Sequence, residues 1–326
     1  MADDPEFAVL KIAHVIDHDL DITQSYEVAV LDEHVYTCIS LSRDAIEVGK
    51  LTGYADYEKA HIWNFVEGMR HSHMSIRKLL MGEQSASAVD ALAIARLQLE
   101  NLFTICFLLQ SAENVRLFLK NAWKKKYVRF LLHRAEHIRL RRFDEYSNSV
   151  GAELLDKLQG ASFVSDAERR TIDVQQLGYP FGPKPKLVRI EGFPTPAQVV
   201  KKINNADQKQ MLARLNSEYE FLCSFAHGDG ESVFLRTVAD KRSPFQRLHT
   251  TSEIEKFYQE QVLEPPILYS ALGSILVATE VAASFPSEVE LRARLGEAWN
   301  FLTRSALSAV PPWEARARKV LGVVGG

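Results

Sequence analysis

Hydrophobic and polar positions alternate along most of the chain with the period of an α-helix. From Ser25 to Ser42, apolar residues recur mostly at steps of three and four residues, which places them on one face of a helix. The same spacing returns over 57–82, over 88–110, where the run is strongly apolar, and over about 111–142. The pattern therefore predicts long helices over most of the N-terminal half, with a central helix at 88–110.

A segment rich in proline and glycine interrupts this pattern. The stretch 178–196 holds five of the twelve prolines and three glycines, a composition typical of a loop. It ends in Thr195 and Pro196, which predict the N-cap and the first residue of another helix. Helical spacing then resumes in three segments: 197–228 with a break near Asn204 and Asn205, the apolar run after Pro266, and an amphipathic run after Ser287.

Signals for β-strands are weak, since only 186–193 alternates between apolar and polar residues. We therefore predict an all-α protein, built as a single bundle of long antiparallel helices with a Pro/Gly-rich loop at about 178–196. No clear linker separates two folded halves, so we predict one domain over 1–326.

Composition narrows the class of protein. A chain of 326 residues with 46% hydrophobic and 25% charged residues is typical of a soluble globular protein. Cys38, Cys106 and Cys223 are far apart in apolar surroundings and are interpreted as reduced thiols of a cytoplasmic protein. The apolar run 267–285 is 19 residues long but contains Glu280, so we expect a core helix and no membrane contact.

The first group of candidate functional residues lies on the segment 217–230. At 100° per residue, Tyr219, Cys223 and His227 fall within about 80° of arc, and Ser224 lies about 60° from His227. The chain contains no G-x-S-x-G motif to support a serine nucleophile. Two interpretations stay open: a histidine at a helix end with Tyr219 anchoring the helix, or a site completed by another helix.

The second group is Arg96 and Glu100, four residues apart on the otherwise apolar helix 88–110. Charged residues in such a position are rarely buried unless they are paired. The pair is interpreted either as a structural contact between two helices or as an anion-binding group that shares a polar pocket with His227.

The histidines do not form a convincing metal site. His133 and His137 have the i, i+4 spacing of helical metal ligands, but the third ligand and the H-E-x-x-H register are missing. His73 and Arg77 share a helix face, which we expect to meet the helix of Arg96. We predict no bound metal and no cofactor.

A basic helix is the most unusual charge feature of the chain. Over 120–142 nine Lys and Arg residues stand against one acid, Glu136, so this run carries +8 while the rest of the −3 chain carries −11. Helical spacing separates a basic stripe from an apolar one that includes Trp123. Such a helix can follow the phosphates of RNA or DNA, or its charges can pair with acidic neighbours such as 144–146.

Together these features resemble a group of bacterial all-helical proteins that is similar to the HEPN superfamily. The resemblance covers about 72–229 and is carried by the basic helix, by Arg96-x-x-x-Glu100, and by Ser224-x-x-His227 with the following glycine turn FAHGDG. HEPN proteins are helical bundles that often act as ribonucleases or toxins in defence systems. The resemblance thus implies an RNA-directed protein that needs no metal.

The sequence departs from the HEPN ribonuclease motif at one position. The motif places an arginine before the histidine, with four to six residues between them. Here the corresponding residues are Glu220, Phe221 and Leu222, and the nearest upstream arginine is Arg214. Arg96 could supply the missing cation from another helix; without it, the resemblance implies an inactive relative.

We carry two hypotheses of function. The first is an RNA-directed protein, either a ribonuclease or an inactive relative, whose candidate site residues are His227, Arg96, Glu100, Tyr219 and Ser224. In it His227 acts as general acid/base and Arg96 stabilises phosphate charge. Its candidate RNA contacts are Lys124, Lys125, Lys126, Arg129, His133 and Arg134.

The second hypothesis is a non-catalytic helical protein that binds a partner or a small ligand. In this interpretation Arg96, Glu100, Tyr219 and His227 form a buried structural network. The sequence leaves the oligomeric state open, with a homodimer as one option.

Overall fold

In the part of the chain that the computed structural model describes, the regular secondary structure is α-helical. That part comprises 26–49, 51–81, 88–139, 193–227, Val233, 264–304 and 311–322. Of these residues 88% are helical and none lies in a strand. The prediction of an all-α protein is therefore confirmed.

Nine helices are formed by these residues. Their bounds are α1 Tyr26–Val48, α2 Asp56–Leu80, α3 Ala88–Leu108, α4 Ala112–Arg139, α5 Pro196–Lys202, α6 Ala206–His227, α7 Glu264–Ser284, α8 Val289–Arg304 and α9 Pro311–Leu321. Most agree with the predicted helices to within a few residues. Helix α9 was not predicted, and α1 continues beyond the predicted end at Ser42 because Ala45 and Ile46 extend its buried face.

The predicted start of α5 is confirmed in detail. The amide of Gln198 donates to Thr195 Oγ1 at 3.4 Å, and Gln198 Oε1 accepts from the amide of Thr195 at 3.0 Å. This reciprocal arrangement satisfies two of the amides that a helix start leaves without partners. The predicted break near Asn204 and Asn205 is also confirmed, because a new helix, α6, begins directly after it. Asn205 Oδ1 caps α6 by accepting from the amide of Gln208 at 3.0 Å. Of the predicted Pro/Gly-rich loop at about 178–196, residues 178–192 lie outside the described residues.

Close contacts divide the chain into two compact units. One unit comprises 1–110 and 195–326 and contains α1–α3 and α5–α9; the other comprises 111–194 and contains α4. The prediction of one domain over 1–326 stays a prediction.

Helices α7 and α3 form the core of the larger unit. α7 packs against α1, α2, α3, α8 and α9, and α3 packs against α2, α5, α6 and α7. Every residue from Pro266 to Ala282 is buried. This is the position expected of the two most apolar runs, because burying apolar area is the main favourable contribution to folding.

Both core helices are also long and apolar enough to cross a membrane. Within the protein, 61% of the most apolar 18-residue window of Val89–Leu108 is buried. For Glu264–Ser284 the buried share of the corresponding window is 89%. Surrounding helices thus cover most of the surface that a spanning helix would turn to lipid.

The core helix α7 carries polar residues that need partners, because burying an unpaired polar group is costly. Thr279 Oγ1 donates to the carbonyl of Ile275 at 2.8 Å and accepts from Trp299 Nε1 of α8 at 3.1 Å. Ser270 and Glu280 are buried as well. These two residues anchor separate side-chain clusters that tie α7 to other helices.

Candidate functional site around Arg96 and Tyr219

The candidate site lies where α3 packs against α6. Arg96 of α3 donates from Nη2 to Tyr219 Oη at 2.9 Å and from Nε to Cys223 Sγ at 3.3 Å. The guanidinium carbon also lies 5.2 Å from the centroid of the Tyr219 ring, within the range of a cation–π contact. The sequence-predicted residues Arg96 and Tyr219, far apart in the chain, are therefore brought together.

Tyr219 is held from two sides. The edge of Phe103 meets its ring at a centroid distance of 6.0 Å and an interplanar angle of 71°. Burial raises the pKa of Tyr219, and the hydrogen bond with Cys223 and the charge of Glu100 raise it further, against the opposite effect of Arg96. The phenol is thus neutral at physiological pH and keeps its proton for hydrogen bonding.

The charge of Arg96 is secured by the same contacts. Burial alone would lower the pKa of Arg96, but the hydrogen bonds with Cys223 and Tyr219 outweigh it and raise that pKa. Glu100 Oε2 lies 3.2 Å from Arg96 Nη2, one turn along the same helix. The side chain of Arg96 is 17% exposed and that of Glu100 is 43% exposed. Of the two side chains, Glu100 is therefore the one more exposed to solvent.

The C-terminal end of α6 carries the remaining candidates. α6 ends at His227, one turn after Cys223 on the same stripe of the helix. The side chains of Ser224 and His227 lie outside the described residues. Among the described side chains on this stripe of α6, Cys223, which contacts Arg96, is therefore the one closest in sequence to His227.

Neighbouring Glu218 ties α6 to the core. Tyr269 of α7 donates from its hydroxyl to Glu218 Oε2 at 2.5 Å. Burial raises the pKa of Tyr269, and the charge of Glu218 adds to this effect. The stretch of α6 that presents Tyr219 is therefore fixed by contacts to both α3 and α7.

A second polar cluster, around His73, was not predicted from the sequence as a unit. His73 is fully buried and lies 2.6 Å through Nδ1 from Ser270 Oγ and 2.8 Å through Nε2 from Asp32 Oδ1. Arg77 Nε donates to Asp32 Oδ2 at 2.8 Å. α2 packs against α3, the helix of Arg96, whereas these hydrogen bonds of His73 and Arg77 go to α1 and α7. The expectation that the shared face of His73 and Arg77 meets the helix of Arg96 stays a prediction.

The order serine, histidine, aspartate in this cluster matches that of a hydrolase triad, but the surroundings do not suit catalysis. Ser270 and His73 are both 0% exposed, so a substrate has no access to the hydroxyl. Arg77 already pairs with Asp32, which weakens the help that this carboxylate could give to a charged imidazole. The cluster is a buried tie between α1, α2 and α7.

A third cluster surrounds Glu280, which is 2% exposed on α7. Arg316 of α9 donates to both carboxylate oxygens, from Nε at 2.8 Å and from Nη2 at 2.7 Å, and Gln208 Nε2 of α6 donates at 2.6 Å. The sequence did contain a signal, because one acid in an apolar run requires a buried partner. It did not identify that partner.

Residues 120–139 of the basic run lie on α4, in the smaller unit. Lys125 and Lys126 are exposed, whereas Trp123 is 5% exposed. The remaining candidate contacts have side chains outside the described residues: Lys124, Arg129, His133 and Arg134. The described part of α4 thus separates basic and apolar side chains in the way its sequence indicates.

Metal binding finds no support in the described parts of the chain, where no three His, Cys, Asp or Glu side chains are grouped to hold an ion. Comparison with known proteins gives no match to a family model, to a curated protein or to a solved structure.

Proposed function

We propose that this chain is an RNA-directed helical protein whose site combines Arg96 of α3 with His227 of α6. The observation that supports this is the contact of Arg96 with Tyr219 and Cys223. Cys223 precedes His227 by one turn on the stripe of α6 that also carries Tyr219. This stripe has no arginine of its own, and Arg96 approaches it from the neighbouring helix α3. The approach of Arg96 to a residue one turn before His227 supports the proposal of a composite arginine–histidine site.

In this proposal each residue has a chemical task. Arg96 stabilises the charge that develops on a phosphate during cleavage of RNA. His227 moves a proton to or from the reacting oxygens as general acid/base. Tyr219 and Glu100 act as positioning residues, since both contact the guanidinium of Arg96. No step requires a metal ion.

The exposed lysines of α4 support RNA as the ligand. A protein of net charge −3 has no overall attraction to a polyanion, so binding needs a local basic patch. Lys125 and Lys126 are exposed near the beginning of the basic run. We propose that this face of α4 contacts the RNA backbone.

Binding is tested by titrating the purified protein into fluorescently labelled single-stranded RNA over a series of salt concentrations. The variant Lys125→Gln/Lys126→Gln should lower the slope of log affinity against log salt by about 1.4, because each phosphate contact on a single strand contributes about 0.7. The control Lys78→Gln/Lys209→Gln removes the same charge from exposed positions of α2 and α6 and should leave the slope unchanged. Absence of RNA binding at low salt rejects the proposal.

Cleavage is tested with the same RNA by gel electrophoresis. Wild-type protein should cut it in the presence of EDTA, and His227→Ala and Arg96→Ala should each abolish cutting while circular dichroism shows an intact fold. Cleavage that persists in either variant contradicts the composite site. Binding without cleavage by the wild type identifies an inactive relative.

A second candidate function is supported by the way in which Arg96 is satisfied. Tyr219, Cys223 and Glu100 together engage its guanidinium, as expected of a structural network in a non-catalytic binding protein. This candidate predicts that Arg96→Ala lowers the melting temperature and that the protein neither cuts nor binds RNA. The RNA titration therefore separates the two functions.

A further inference from the structure

A surface cleft lies between the end of α1 and the beginning of α2. Its volume is about 370 Å³, and the lining includes Ile46, Glu47, Asp56, Lys59, Trp63 and Asn64. Small-molecule sites usually have volumes of about 300–1,000 Å³ and combine an apolar wall with a few polar groups. The cleft meets both criteria at the small end of the range.

Trp63 forms the aromatic wall of the cleft. Its ring is already used in a cation–π contact, since the guanidinium carbon of Arg43 lies 4.8 Å from the ring centroid. Arg43 Nη1 in turn pairs with Glu67 Oε2 at 2.8 Å. These contacts hold the indole in a fixed position. Because Trp63 also lines the cleft, its indole gives the cleft a flat surface of a kind that attracts apolar groups and cations.

The charges of the lining favour a cation. Lys59 Nζ pairs with Asp56 Oδ1 at 3.1 Å, so these two charges balance each other. Glu47 makes no hydrogen bond or ion pair within the described part of the chain. The lining therefore carries one carboxylate in excess, which a ligand would have to neutralise.

We propose that this cleft binds a small organic cation, an amine attached to a flat or apolar body. The ammonium group pairs with Glu47, and the body packs on Trp63 and on Ala60, which also lines the cleft and is exposed. Asn64 supplies a side-chain amide for one further hydrogen bond. Anionic ligands are disfavoured by Glu47. The proposal does not depend on the RNA-directed function, because the cleft and the Arg96 site lie on different helix pairs.

Benzylamine, benzyl alcohol and benzoate provide a test, because they share one aromatic body and differ in charge. Trp63 serves as a fluorescent reporter, since Trp123, Trp299 and Trp313 are only 5%, 4% and 1% exposed. At constant ionic strength, benzylamine should give a saturable change that benzyl alcohol reaches only at about two- to fivefold higher concentration, as expected for loss of one partly exposed ion pair. Benzoate should bind more weakly than the alcohol.

Variants locate the ammonium group, with binding measured by ligand-observed NMR so that the signal does not depend on tryptophan. Glu47→Gln should weaken benzylamine by about two- to fivefold and leave benzyl alcohol unchanged. The control Glu33→Gln, at an exposed position of the same helix, should change neither. Equal binding of the amine and the alcohol, an unaltered Glu47→Gln variant, or no saturation with benzylamine would each overturn the proposal.

Discussion

At the scale of single residues, Arg96 illustrates how one side chain can serve several partners. Its guanidinium reaches the hydroxyl and ring face of Tyr219, the sulfur of Cys223 and the carboxylate of Glu100. Hydrogen bonds to a charged group are stronger than those between neutral groups. Tyr219 should therefore contribute more to stability than an exposed tyrosine does.

Removing the hydroxyl of Tyr219 tests this contribution. Tyr219→Phe should lower the free energy of unfolding by about 1–2 kcal/mol, because Arg96 loses an acceptor in a half-buried position. Urea unfolding followed by circular dichroism gives the value. A loss below about 0.5 kcal/mol would contradict the expectation.

Cysteine reactivity gives a second test at this scale. Cys38 and Cys106 are fully buried, whereas Cys223 is partly exposed. Burial raises the pKa of Cys38 to about 12 and that of Cys106 well above its usual value, so both remain as unreactive thiols. A thiol reagent should label Cys223 alone in the native protein and all three cysteines in denaturant. Native labelling that persists in Cys223→Ser would show this assignment to be wrong.

At the scale of elements, the pairing of α1 with α2 depends on charge as well as on apolar packing. Glu67 of α2 accepts from Arg43 of α1 at 2.8 Å and from Arg70 Nε at 2.9 Å. His71 Nε2 lies 3.1 Å from the same carboxylate. The hydrogen bonds of Arg70, then those of Arg43, hold the pKa of Glu67 below its usual value, although burial acts in the opposite direction.

The pH dependence of this contact follows from the direction of the shift. A carboxylate whose pKa is lowered by folding stabilises the protein above its unfolded pKa, and the contribution disappears as pH falls through the folded pKa. Glu67→Gln should therefore cost on the order of 1 kcal/mol or less at neutral pH, and the cost should shrink below about pH 4.5. Urea unfolding at several pH values measures it.

A matched control for this pH series is Asp44→Asn. Asp44 is exposed on α1 and makes no ion pair with any residue that the structure describes. This variant should show little cost at any pH. A cost of Glu67→Gln that grows as the pH falls would show that the carboxylate does not carry the effect.

At the scale of the whole molecule, buried clusters connect segments that are distant in the sequence. His73 meets Ser270 across 197 positions, and Glu280 meets Gln208 across 72 and Arg316 across 36. Each cluster has α7 as its common member. The helix that forms the apolar core thus also fixes which other helices surround it.

The Glu280 cluster gives a test of this long-range connection. Arg316→Met should destabilise the protein by about 3–5 kcal/mol, because it leaves a buried carboxylate without its cation. Adding Glu280→Gln should restore much of the loss, since Gln208 can still hydrogen bond to the neutral side chain. Arg318→Met, at an exposed position of α9, should cost about 0.5 kcal/mol or less. Thermal and urea unfolding compare the four proteins, and a double variant no better than Arg316→Met alone would argue against this account.

The sequence by itself determined most of the helices, α9 excepted, because the spacing of apolar residues, the Thr195–Pro196 start and the break near Asn205 are local properties of the chain. It also indicated that the runs 88–110 and 267–285 belong in a core, since so much apolar surface must be buried. These features needed no knowledge of which helices are neighbours.

Only the tertiary structure decided which polar residues meet. Arg96 and Tyr219 could be nominated separately, but their contact depends on how α3 packs on α6. The partners of His73 on α1 and α7 were not identified from the sequence, because a helix face by itself does not specify the helices that cover it. Hydrogen bonds and ion pairs act over a few ångströms, whereas their members here are separated by tens to hundreds of positions, so periodicity along the chain carries no record of them.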